Sequence, residues 1–317
     1  MTELTEPAVE PAPPAGTPGH AARLAAPAFI AVSAVFHYLG PALAVLLFAR
    51  LEVFGVSWLR VASAAVVFAV WRRPWRLLPQ LTAAQRRVLF SLGVLLAVMN
   101  TTFYLAIARL PLATVGSVEF LGVIVLAAAG VRSPRNALAL GLAVAGVVTL
   151  TDVRLAGEPV GFGFAFANCA LFMLYVTLGH RVANTGSRDG SRSSGIDQLA
   201  AAMLVAAVVS TPLGLVDAAP AFAHPGWLLA GAAVGVCSSV IPYVTDQLAM
   251  ARLRRATFAL MLSILPASAT VIGLLVLAQL PTVTDLLGVA LVIAAVAVHD
   301  QPARHPDREE TRCGTSG

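Results

Sequence analysis

The chain has 317 residues, 58% of them hydrophobic and only 12% charged, with a mean hydropathy of +0.82. Soluble domains carry about 25% charged residues, so a soluble globular protein is excluded. The formal net charge of +5 does not argue for nucleic acid, because the arginines stand between apolar runs, where they orient a membrane protein.

Residues 1–26 begin the chain with Glu3, Glu6 and Glu10 and are Pro-rich through residue 18. They lack the basic start and short apolar core of a cleaved signal peptide, and read as a disordered cytosolic tail. Ten apolar runs follow, at about 27–49, 54–71, 87–108, 111–130, 136–151, 160–180, 196–216, 227–250, 256–280 and 283–299. A helix of roughly 20 apolar residues crosses about 30 Å of hydrocarbon. The runs lack the alternating polarity of barrel strands, so all ten are expected to be helices. The fifth and tenth are short and rich in Gly and Ala, which suits packing against other helices. Residues 184–195, NTGSRDGSRSSG, read as a flexible linker between the sixth and seventh helices. Residues 300–317 form a second disordered cytosolic tail.

A repeat organises these runs. Residues 105–114, LAIARLPLAT, and residues 248–257, LAMARLRRAT, agree at seven of ten positions, 143 residues apart. Each copy lies in a block of five runs. A block with an odd number of crossings must point the opposite way when repeated, and inverted halves of this kind give many secondary transporters two-sided access to a central site. The expected fold is an all-α integral membrane protein of ten transmembrane helices in two inverted five-helix repeats, residues 27–151 and 152–299.

All 21 basic residues are arginine, a composition that fits a GC-rich bacterial genome. With both termini inside, seventeen arginines fall in cytosolic segments. Three, Arg50, Arg109 and Arg154, fall outside, and Arg60 lies within a span. That asymmetry places both termini in the cytosol of a multi-pass protein of the bacterial plasma membrane. The repeat agrees, since Arg254 and Arg255 of the cytosolic copy stand where its external twin has Pro111 and Leu112. Cys169, Cys237 and Cys313 form no CxxC pattern, and neither a disulfide nor a metal site nor a cofactor is expected.

Only Glu119 and Asp246, of sixteen carboxylates, fall well inside spans. A charge at bilayer depth costs about 2.5–3.5 kcal/mol on insertion scales, so such residues face a cavity or a partner. Glu119 stands near mid-membrane with Gly116 and Gly122 on the same helical face. The glycines suggest room for water, a proton or a bound molecule; the plainer alternative is a protonated Glu bonded to a neighbouring helix. Arg60 either binds a substrate carboxylate, pairs with Glu119 or snorkels to the outer interface. Asp246, near Arg252 and Arg255, reads as a gate, an inner salt bridge or a substrate contact. His37 is either a proton relay or a packing residue. Asn100, Thr101, Thr102 and Tyr104 on the third helix, with Tyr175 and Tyr243, either contact substrate or bond between helices. Pro242 and Pro266 free the carbonyls of Ser238 and Leu262 four residues earlier, and Gly231 with Gly235 reads as a close-packing face.

The chain resembles the drug/metabolite transporter superfamily of EamA type, and most closely its threonine/homoserine exporter branch. The resemblance covers about residues 28–299. It rests on GVSWLR (55–60), MNTTFYLAI (99–107) followed by PLA (111–113), VEF-x-G (118–122), Y-x₃-G-x-R (175–181) and PY-x₂-D-x₂-A-x₂-RL (242–253). It implies proton-linked export of small metabolites through a cavity between the halves, with polar positions at Arg60, Glu119 and Asp246. The chain departs from the usual family pattern at Leu265-Pro266, where Glu-Pro is common, and at Val123, where a proline usually follows the glycine.

The expected function is export of small amino acids or related metabolites by proton antiport, with the efflux of hydrophobic or cationic drugs as the alternative. The expected partners are a small-molecule substrate, protons and the lipid bilayer, without nucleic acid; a homodimer is left open. The short loops carry no paired carboxylates and no nucleophile–base pair, so an enzyme is not expected, and the tails carry no signalling domain.

Overall fold

The computed structural model describes residues 20–130, 133–152, 158–188, 195–250 and 264–298, and among them every element is helical. In chain order these are α1 (His20–Leu47), α2 (Val53–Arg72), α3 (Ala83–Ile107), α4 (Leu112–Gly130), α5 (Pro134–Asp152), α6 (Pro159–Arg188) and α7 (Gly195–Ala223). Then come α8 (Pro225–Gly235), a π turn (Val236–Val240), α9 (Ile241–Met250), α10 (Ile264–Leu277) and α11 (Val283–Val298). Thr82 starts α3 with a capping box, its hydroxyl accepting from the Gln85 amide while the Gln85 side chain accepts from the Thr82 amide at 2.8 Å.

Two expectations about the connections are corrected. Helix α1 begins at His20 rather than after residue 26, because the alanines of AARLAA are strong helix formers. Helix α6 runs on to Arg188, so residues 184–188 of the expected linker are helical; extending a formed helix adds a hydrogen bond for each residue fixed. Residues 189–194, most of the N-terminal tail and the C-terminal tail lie outside the described residues, as does the arginine-rich part of the second repeat copy.

Four helical stretches among the described residues are long and apolar enough to cross a membrane: Val53–Arg72, Ala83–Ile107, Ile196–Ala223 and Pro225–Thr245. Five shorter apolar helices accompany them, among them Val32–Leu47 and Val283–Ala295. The outward faces of the bundle expose Val70, Val208, Val216, Leu229 and Leu275. Such an apolar exterior around internally hydrogen-bonded helices is what a lipid solvent requires.

The helices pair in a regular way. Helix α2 lies along α7 in antiparallel fashion: Gly55 abuts the backbone of Asp217, the Trp58 indole donates to Thr211 Oγ1 at 3.0 Å, and Arg72 pairs with Asp197 at 2.7 Å. Helix α5 pairs with α11, where Gly146 faces the Gly288 carbonyl, and α4 begins against the end of α10. Helix α1 packs on α8, α9 and α10; α6 packs on α3 and α4. When α8–α9 is counted as one broken helix, these principal pairings map onto themselves on exchanging the first five helices for the last five.

Two packed cores fill the bundle. One gathers Tyr38, Leu51, Leu59, Tyr104 and Leu110; the other gathers Val61, Phe68, Leu96, Met99 and Met203. Arg60 falls between Leu59 of the first and Val61 of the second. Here α8 crosses α2 closely, as its GxxxG step suggests: a methyl added at Gly231 would stand 2.8 Å from Leu59 Cδ1, and one at Gly235 would overlap the Ser63 hydroxyl. The π turn follows at once, ahead of Pro242, which lacks the N–H that would bond the Ser238 carbonyl. Helix α1 passes so near that a side-chain carbon at Gly40 would overlap Ser238.

Candidate functional site

The site assembles around Arg60. This guanidinium is 6% exposed; its Nε donates to Ser239 Oγ at 3.1 Å and its Nη2 to the Ser238 carbonyl at 3.2 Å. The carbonyl released by Pro242 thus has Arg60 as its donor. Arg60 also lies over the Tyr104 ring, 5.2 Å from its centroid, where the ring face attracts the cation. Tyr104 is fully buried, with its hydroxyl beside the Ser238 side chain and Arg60.

Glu119 stands on α4, half-buried, and accepts from Asn168 Nδ2 of α6 at 3.3 Å. The amide oxygen of Asn168, Oδ1, is buried without a hydrogen-bond partner among the described residues. The glycines beside Glu119 do not leave empty space. A side-chain carbon at Gly116 would come 2.7 Å from the Tyr38 hydroxyl, and one at Gly122 would come 2.8 Å from Cys169 Sγ. They allow Tyr38 and Cys169 to approach the helix backbone, which corrects the expectation of room on that face. Tyr38 meets His37 edge-on, with ring centroids 5.2 Å apart.

Arg60 and Glu119 form no ion pair; the one salt bridge among the described residues joins Arg72 to Asp197. Even so, the Arg60 charge acts on both Glu119 and His37, and the Glu119 charge on Tyr38. The site therefore holds a basic and an acidic group near one another, each bonded to neutral partners. No cluster of three or more metal-ligating side chains occurs among the described residues.

The structure brings Arg60, Tyr104, Glu119 and His37 together, while Asn100, Tyr175 and Tyr243 take other neighbours. Asn100 turns back on its own helix, donating to the Leu96 carbonyl at 2.7 Å. Thr101 and Thr102 likewise bond carbonyls of α3. An amide or hydroxyl in an apolar surrounding takes the nearest acceptor, here the preceding helical turn. Tyr175 and Tyr243 pack against the second core, Tyr175 beside Phe172. Asp246 lies on α9, but its side chain, like Arg252 and Arg255, lies outside the described residues. Sequence reasoning passed over Tyr38, Asn168 and Ser239. Asn168 carried a signal as the sole amide of the sixth apolar run; Ser239 carried none beyond standing next to Ser238.

The model of the EamA-like transporter family matches residues 161–299. The threonine/homoserine exporter RhtA of Salmonella typhimurium (strain LT2) is 33% identical over 263 residues, 81% of this chain and 84% of that protein. The protein of the same name from Escherichia coli (strain K12) is 31% identical over 262 residues, again 81% of this chain and 84% of its own length. The chain belongs to the EamA-like transporter family. Within the drug/metabolite transporter superfamily it lies on the threonine/homoserine exporter branch. A solved crystal structure shares the fold, with a TM-score of 0.58 at 19% identity over 88% of this chain and 96% of that one. This EamA-type protein is accordingly a membrane transporter of small molecules rather than an enzyme.

Proposed function

We propose that this transporter exports small amino acids, with hydroxylated ones such as those named for its relatives first among them, by proton antiport. The observation that carries the reading is that buried Arg60 and half-buried Glu119 stand close enough for the charge of one to act on the other, yet form no ion pair. A zwitterion supplies what each lacks. Its carboxylate meets Arg60, of whose five N–H groups two are engaged within the described residues. Its ammonium meets Glu119, which exchanges it for a proton on the return step. One buried polar atom at the site, Asn168 Oδ1, has no hydrogen-bond partner among the described residues. Left dry, it costs roughly 1–3 kcal/mol, so a ligand hydroxyl or water beside it is favoured.

Alternating access follows from two inverted five-helix halves, residues 27–151 and 152–299, both chain ends being cytosolic. Support comes from the pairing pattern that survives exchange of the halves and from the antiparallel course of α2 and α7, its counterpart five helices on. The family model's match to residues 161–299 falls within the second half. Two such halves rock about a fixed central site, which opens to each side in turn. The test is counterflow of an amino-acid panel in proteoliposomes, with and without a pH gradient. Accumulation of threonine and homoserine that grows with an imposed gradient supports the reading; indifference to every amino acid and to pH removes it.

A further inference from the structure

We infer that Ser239, through its hydroxyl, and Pro242, through the carbonyl it leaves open at Ser238, are positioning residues that aim Arg60 at the substrate carboxylate. This deepens the proposed function and rests on its assignment of Arg60. An arginine side chain has four rotatable bonds and carries about 2 kcal/mol of rotamer entropy, so burial alone does not fix its direction. What fixes it here is one edge of the guanidinium. Nε and Nη2 lie side by side on that edge, and they donate to Ser239 Oγ at 3.1 Å and the Ser238 carbonyl at 3.2 Å. The end of the fork, between Nη1 and Nη2, keeps a parallel pair of N–H groups, the arrangement that grips a carboxylate in bidentate fashion.

The carbonyl acceptor would not be available in an unbroken helix. In regular α geometry the Ser238 carbonyl would take the N–H of residue 242. Proline at that position has no N–H, and the preceding residues Val236–Val240 form a π turn. Gly40 and Gly235 let α1 and α2 come close enough for this to matter: side-chain carbons there would overlap Ser238 and Ser63 respectively. The break in the eighth helix is thus a built feature, and Arg60 is what it serves. Tyr104 packs against the guanidinium, its ring centroid 5.2 Å from Cζ, while the two serine acceptors set the direction of the fork.

The test uses the full chain in proteoliposomes and L-threonine as probe, reading KM and maximal rate of counterflow. Ser239→Ala should raise KM roughly tenfold, the loss of one charge-assisted hydrogen bond, with the maximal rate unchanged. Ser239→Thr, which keeps the hydroxyl, should restore KM. Pro242→Ala, which returns an N–H to the Ser238 carbonyl, should raise KM in the same direction. In an Arg60→Lys background, whose point charge lacks the fork, Ser239→Ala should add little. An unchanged KM in Ser239→Ala, a fall in maximal rate alone, or an equal loss in the Arg60→Lys background would each overturn the inference. If Arg60→Lys itself leaves KM untouched, the assignment of Arg60 to the carboxylate fails first, and the two failures are distinguishable.

Discussion

Gly116 offers a quantitative test of how the site is packed. A β-carbon there would lie 2.7 Å from the Tyr38 hydroxyl oxygen, 3.1 Å from Cζ and 3.2 Å from Cε1. Favourable carbon contacts begin at about 3.5 Å, so the ring must retreat. Tyr38 is 1% exposed and has little space to retreat into, which puts the overpacking penalty of Gly116→Ala at about 1–3 kcal/mol. Helix propensity works the other way, since alanine is favoured over glycine by roughly 1 kcal/mol. Gly141→Ala isolates that second effect, because a methyl at Gly141 meets nothing within 4 Å. The difference in unfolding free energy between the two variants, read by SDS titration in mixed micelles, should therefore be about 1–3 kcal/mol against Gly116→Ala. Adding Tyr38→Phe deletes the nearest atom and should recover part of that difference. Threonine counterflow should fall in Gly116→Ala, because the displaced ring stands within the field of Glu119. Equal stability of the two alanine variants, with no recovery from Tyr38→Phe, would refute this account of the packing.

Other substitutions probe the crossings that hold the site in place. Gly235→Val drives a branched side chain into Ser63 and the Arg60 carbonyl; it should prevent recovery of monodisperse protein in size-exclusion chromatography, whereas Gly226→Val, in open space, should behave as wild type. The Arg72–Asp197 pair, with side chains 31% and 21% exposed, should show a coupling of about 0.5–1 kcal/mol in a double-mutant cycle. That coupling should shrink as salt is raised; a salt-independent value would mean that the pair is not reached by water. Thr211→Val leaves the Trp58 indole N–H without its acceptor and should cost about 1 kcal/mol, accompanied by a shift in tryptophan emission; an unchanged spectrum would show that the bond is not maintained.

Much of the architecture was legible because a bilayer permits few solutions. Apolar runs of the right length located the helices, and Pro242 foretold an open carbonyl at Ser238. The chain could not say who would use that carbonyl, since Arg60 lies 178 residues away and local reasoning does not reach across helices. The glycines around Glu119 misled for a related reason: a missing side chain signals close approach as readily as empty space, and only the neighbours Tyr38 and Cys169 decide between them. Asn100 looked like site chemistry but satisfied itself on Leu96, one helical turn back. Helix ends were the least legible. Helix α7 continues past Asp217 and through Pro212 and Pro220 to Ala223, where an apolar window stops at the first charge although the backbone hydrogen bonds need not.

The central claim is that Glu119 carries both the proton and the substrate ammonium. Substrate-driven proton movement across proteoliposomes, recorded with an internal pH dye for wild type and Glu119→Gln, tests it most directly. Wild type should move protons against a threonine gradient. Glu119→Gln should be correctly folded and inserted yet silent. Proton movement of wild-type size in Glu119→Gln would contradict the claim.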